Sequence, residues 1–169
     1  MPPITLFLLQ FVVLAYALVS GVFLAFSDFI MRSLANTSGV GGVEAMQTIN
    51  REVFRWVFMV LFIGLAPLSL LIAAYGGIFV GNGPGTLMMV AGLIYLFGCF
   101  GVTVFFNVPM NEALASMETT SDQTREYWTA TYLPRWTFWN TIRTIASGLS
   151  SVILLFNLLW MAQTQAQTM

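Results

Sequence analysis

The residues able to do chemistry in this chain are few, and they sit near the ends of apolar runs. Trp136, Asn140 and Arg143, followed by Ser147 and Ser150, recur at helical spacing and share one face. The opposite side, with Ile142, Ile145, Leu149 and Val152, is apolar. An arginine facing lipid costs roughly 2.5–3.5 kcal/mol at a helix centre and less near its end. The stripe is therefore expected to face inward, with snorkelling of Arg143 to the near interface as the alternative. Asn107, Asn111 and Glu112 close another apolar run. Asp28 and Arg32, spaced i,i+4, end a third, and Asn50, Arg51, Glu52 and Arg55 precede a fourth. Gathered in one place, such groups would give a polar-mouthed, apolar-floored site for a small molecule. Left apart, they would only cap helices or anchor at headgroups.

Composition narrows the chemistry. Of 169 residues, 58% are hydrophobic and 8% charged, against about a quarter charged in ordinary soluble domains. The net charge of −1 offers no basic face for nucleic acid. All six cations are arginines, which excludes Schiff-base lysines and a Walker-type phosphate loop. The absence of histidine excludes His-ligated haem, His-rich metal sites and His-assisted nucleophiles. Cys99 is alone, so neither an intrachain disulfide nor an iron–sulfur cluster can form, and packing is its expected role.

The elements that must position these residues are four apolar runs, each long enough for the about 20 residues that cross a hydrocarbon core. They cover roughly residues 4–34, 54–75, 86–107 and 134–161. The expected fold is all-α: an integral membrane four-helix up-down bundle forming one domain over residues 1–169. Residues 76–85, with five glycines, are expected to form the turn between the second and third spans. Pro109 should break the third span around Asn107 and Val108, and Pro134 should begin the last helix. Tyr127, Trp128 and Tyr132 fit an interfacial aromatic belt. The tail after Met161 should fray.

Alternating spans bring the exits of the first and third to the same membrane face as the entries of the second and fourth. Asp28, Asn50, Asn107, Asn111, Glu112, Trp136, Asn140 and Arg143 would then share that face. Every arginine lies there or just inside it. The positive-inside rule places residues 33–52 and 108–133 in the cytosol and both termini outside, in a bacterial inner membrane.

The segment Asn107-Val108-Pro109-Met110-Asn111, followed by Trp136-x3-Asn140-x2-Arg143, resembles the anthrone oxygenase-like family of small membrane proteins. Phe26-Ser27 and Met46-x3-Asn50 fit the same pattern. The resemblance implies a four-helix membrane bundle and, in some fungal relatives, conversion of an anthrone to an anthraquinone by O2 as co-substrate, with no metal or flavin cofactor. On that footing Asp28 or Glu112 would be the base and Arg143 would stabilise an enolate oxygen. Asn50, Asn107, Asn111 and Asn140 would orient the substrate, and Trp136 would stack on a flat ring.

Two functions follow. One is a cofactor-independent oxidoreductase acting on a flat, apolar phenolic or quinone-like molecule. The other is a non-catalytic membrane module, either an accessory subunit or a lipid or quinone binder. Expected partners are membrane lipid and an apolar small molecule, together with a membrane-protein partner or a second copy of the chain.

Overall fold

A computed structural model describes residues 3–55 and 57–167, and all regular structure among them is helical. Four helices are long and apolar enough to cross a membrane: α1 (Ile4–Ala35), α3 (Val57–Val80), α4 (Asn82–Ala115) and α5 (Asp122–Thr164). An amphipathic connector, α2 (Gly41–Glu52), lies between the first two. The chain is a membrane protein built as a four-helix bundle.

The main seam joins α1 to α5. Leu9, Val12, Tyr16, Val19 and Phe23 recur every three or four residues and are buried, whereas Ile4, Phe7, Phe11, Leu14 and Leu18 repeat the same spacing on the exposed side. The first set faces the bundle and the second suits lipid. Small polar residues bring the two backbones close: the Ser151 hydroxyl donates to the Val13 carbonyl and Ser20 to that of Thr144, each at 2.9 Å. These bonds give the hydroxyls partners where water is scarce. The α3–α4 seam uses glycine. A Cβ on Gly92 would strike the Ser69 carbonyl and come within 3.0 Å of the Ala73 methyl.

The glycine-rich segment 76–85 is mostly helix, not the long turn expected. α3 widens into a π-type turn at Gly76–Val80, closed by Gly81 N–H on the Gly76 carbonyl at 2.9 Å. Only Gly81 (φ 62°) and Asn82 (φ 49°) take left-handed backbone to reverse the chain. Gly76 and Gly85 serve contact instead, since a Cβ on either would collide with the other's backbone.

Neither Pro109 nor Pro134 breaks its helix. Ahead of each, the backbone forms a π-type turn, at Thr103–Asn107 and Tyr127–Tyr132. Val108 N–H bonds to the Thr103 carbonyl and Leu133 N–H to that of Trp128, five residues back in both cases. The extra residue moves aside the carbonyl that a proline ring would otherwise strike, so the helix continues. The last helix therefore begins at Asp122, where the Ser121 hydroxyl caps the Thr124 N–H at 3.1 Å. At its far end it stays helical to Gln167, past the point where fraying was expected.

A second apolar cluster closes the end of the bundle beneath α2. It joins Met31, Val43, Met46, Leu114, Trp128, Tyr132 and Trp136. Trp128 and Tyr132 are thus interior, not members of a belt facing headgroups. Gln47 fastens α2 in place, its amide nitrogen donating to the Leu114 carbonyl at 2.8 Å and the Met117 carbonyl at 3.2 Å.

Candidate functional site

The polar stripe of α5 faces inward. Trp136, Asn140, Arg143, Ser147 and Ser150 are all buried, while Ile145, Leu149 and Val152 are exposed. Arg143 is 4% exposed. Its Nη2 donates to Asn140 Oδ1 at 2.6 Å and its Nη1 to the Thr103 hydroxyl at 3.2 Å. The guanidinium carbon lies 4.1 Å from the Phe23 ring centroid and 5.2 Å from that of Trp136. Two aromatic faces and two neutral oxygens therefore surround a permanent cation. Both ion pairs found among the described residues are elsewhere, Asp28–Arg32 and Glu52–Arg55, at exposed positions. Arg143 Nε is buried with no hydrogen-bond partner among those residues.

Asn140 ties this cation to α1. Its amide nitrogen donates to the Phe23 carbonyl and the Ser27 hydroxyl, both at 2.7 Å. Ser27 lies in a π-type turn, Phe26–Ile30, which offsets the helical phase at that point. Asn107 donates to the Trp136 carbonyl at 3.2 Å and so links α4 to α5, while its Oδ1 is buried without a partner. Asn111 Oδ1 accepts from Tyr132 Oη and Trp136 Nε1, both at 2.7 Å. Asn50 reaches the same tyrosine oxygen at 3.4 Å.

These groups border a narrow, apolar slot, open at one side, with a cavity volume of about 90 Å³. Every helix contributes: Phe23 and Phe26 from α1, Met46 and Asn50 from α2, Phe58 and Phe62 from α3, Thr103 and Asn111 from α4, Trp136 and Arg143 from α5. The Phe26 and Trp136 rings, 5.7 Å apart, are among its walls.

Of the residues singled out from sequence, Asn50, Asn111, Trp136 and Arg143 line the slot. Asn107 and Asn140 hold its framework. Asp28 and Glu112 do not join them: both are exposed, and Asp28 lies 3.6 Å from Arg32 across one helical turn. Thr103 and Tyr132 were missed as site residues. Each carried a signal, since Tyr132 extends the 136–140–143 stripe by one turn and Thr103 stands one turn before Asn107. Among the described residues no three Cys, Asp or Glu side chains gather where they could hold a metal ion.

A small helical membrane protein whose polar side chains converge on an apolar slot with an unpaired arginine is thus the class that fold and site define. Residues 58–153, more than half of the chain, match the anthrone oxygenase family, and the chain belongs to that family. The matched stretch contains Asn107, Asn111, Trp136, Asn140 and Arg143, while Phe23, Ser27 and Asn50 precede it. No curated protein and no solved structure matches the chain.

Proposed function

We propose that the protein is an oxidoreductase that converts an anthrone-like CH2 group to a carbonyl with O2, without metal or organic cofactor. The observation that carries this reading is Arg143: a buried cation at the wall of a narrow apolar slot, with no carboxylate partner and no hydrogen bond at Nε among the described residues. Such a group stabilises negative charge that develops on a bound oxygen. A flat ketone lying in the slot against the Trp136 ring would direct its carbonyl oxygen to Arg143. Loss of a proton from its activated CH2 gives an enolate whose oxygen carries charge opposite the guanidinium. The enolate then passes electrons to O2, a C–O bond forms at the former CH2 carbon, and water leaves. The sum is CH2 plus O2 giving C=O plus H2O.

In this scheme Asn140 and Thr103 hold the guanidinium, and Asn107 holds the α4–α5 framework. Asn50 and Asn111 offer polar contacts beside the ring wall. Asp28 and Glu112 receive the proton only by way of water, because no carboxylate lines the slot among the described residues. The distribution of arginine supports a cytosolic position for residues 33–52 and 108–133, with both termini on the other side of a bacterial inner membrane.

Oxygen uptake by the purified protein with anthrone tests the reading, with anthraquinone as the product to be measured. Wild type should turn over and Arg143→Ala should not. Equal rates in the two proteins would remove the proposed site.

A further inference from the structure

The slot is closed toward the polar end of the bundle. Met46 and Ile49 of α2 form part of its wall there, with Met46 fully buried. Behind them Gln47 bonds to the Leu114 carbonyl of α4 and the Met117 carbonyl just past it, and Asn50, Tyr132 and Asn111 form a hydrogen-bonded chain from α2 through α5 to α4. A solute arriving from water would have to break this layer. Deeper in the bundle, Tyr95 and Cys99 are fully buried. The side is different. Among the described lining residues, Val22 (39% exposed) and Phe54 (65% exposed) are the open ones, and both are apolar. Val22 stands within the apolar run of α1 and Phe54 in the short turn, Val53–Arg55, that leads into α3. Val22 lies inside the α1 span and Phe54 three residues before the α3 span, so a gap with that rim faces the edge of the hydrocarbon, beside the exposed Glu52–Arg55 pair.

Resting on the reading of the slot as a ligand site, we infer that its ligand arrives sideways from the membrane hydrocarbon, between α1 and the turn into α3, as a neutral, lipid-dissolved aromatic molecule. A charged ligand would lose its hydration along an apolar rim before reaching any partner. A neutral carbon acid avoids that cost and becomes anionic only beside Arg143. The apolar rim and the unpaired cation thus act in sequence: the first selects molecules without charge, and the second favours charge once the molecule is seated.

The test uses the full chain in phospholipid vesicles with two photoprobes. Benzophenone is neutral and dissolves in lipid; benzophenone-4-carboxylate is charged and stays in water. Labelling is mapped at Met46, inside the slot, and at Met89, which is 37% exposed on α4 and serves as a control for probe in the lipid. Benzophenone should label both methionines, and the carboxylate should leave Met46 unlabelled. Val22→Trp should lower Met46 labelling roughly tenfold, within the range over which association rates move among variants of one site. Phe54→Ala should raise it, and Met89 labelling should stay constant throughout. Equal Met46 labelling by the two probes, or no response to either rim variant, overturns lateral access. No Met46 labelling at all removes the slot as a ligand site and lateral access with it. Normal Met46 labelling without oxygen uptake removes the proposed activity alone and upholds the route.

Discussion

Arg143 Nη2 donates to Asn140 Oδ1 at 2.6 Å, three residues back on the same helix. The same amide donates through its nitrogen to the Phe23 carbonyl and the Ser27 hydroxyl on α1. One asparagine therefore fixes the cation of α5 relative to the helix that supplies its aromatic neighbour. Asn140 is a positioning residue, because its hydrogen bonds set where the guanidinium sits against Phe23 and the slot.

The first prediction separates function from stability at Arg143. An effective penalty of several kcal/mol accompanies a buried ion, and no opposite charge among the described residues pairs with it here. Arg143→Met removes that penalty and fills similar volume. It leaves Asn140 Oδ1 without its donor, a cost of about 1–3 kcal/mol. The first effect is the larger. Oxygen uptake should fall about 10²–10³-fold, while the melting temperature stays at or above that of wild type. A marked loss of thermal stability would show that Arg143 is structural.

The second concerns the layer under α2. Gln47 supplies two hydrogen bonds from a buried position, to the Leu114 carbonyl at the end of α4 and to the Met117 carbonyl beyond it. Bonds of this kind in membrane proteins average about 0.6 kcal/mol and reach about 1.7. Gln47→Leu should leave the four spans intact and loosen α2 alone. Amide exchange over Gly41–Glu52 should then accelerate by about an order of magnitude, with little change in α5. Unchanged exchange in α2 would mean that its apolar contacts with Leu114 and Trp128 hold it unaided.

The inward stripe was legible because an arginine within an apolar helix has few places to go, and Asn140 one turn away shares its face. The membrane level of the other polar groups was legible for a similar reason, since each apolar run has a definite end. Their direction was not. Asp28 lies five residues beyond Phe23 and Glu112 one beyond Asn111, so helical geometry turns both carboxylates well away from their inward neighbours. The π-type turns add a further offset. Two of them stand just ahead of prolines, and periodicity of apolar residues does not report that. Pro109 was therefore read as a break and Pro134 as a start, when each follows a widened turn within a continuing helix.

A third prediction contrasts glycines in one bundle. A Cβ on Gly98 would lie 2.7 Å from the Ala146 methyl, and one on Gly92 would meet backbone of α3. Gly92→Ala and Gly98→Ala should each destabilise by about 1–3 kcal/mol through overpacking. Gly21 and Gly64 have no neighbour within 4 Å of such a methyl. Alanine there gains helix propensity, up to about 1 kcal/mol. Thermal melting of the four variants in one detergent should split them into these pairs, and a uniform response would deny that close α3–α4 and α4–α5 approach depends on glycine.

The last prediction lies away from the slot, toward the far end of α5. Asn157 is fully buried, and neither its amide nitrogen nor its oxygen has a hydrogen-bond partner among the described residues. A buried amide without partners carries a desolvation cost of about 1–3 kcal/mol. Leucine has the same branched shape, somewhat larger, and no polar atoms, and Leu154 and Leu158 on the same helix are already core residues. Asn157→Leu should therefore raise the melting temperature, while oxygen uptake stays unchanged because Asn157 is not among the residues lining the slot. If instead the amide holds an enclosed water, the substitution removes that water's partners and should lower the melting temperature. The direction of the thermal shift decides between an amide that only burdens the core and one that anchors an internal water.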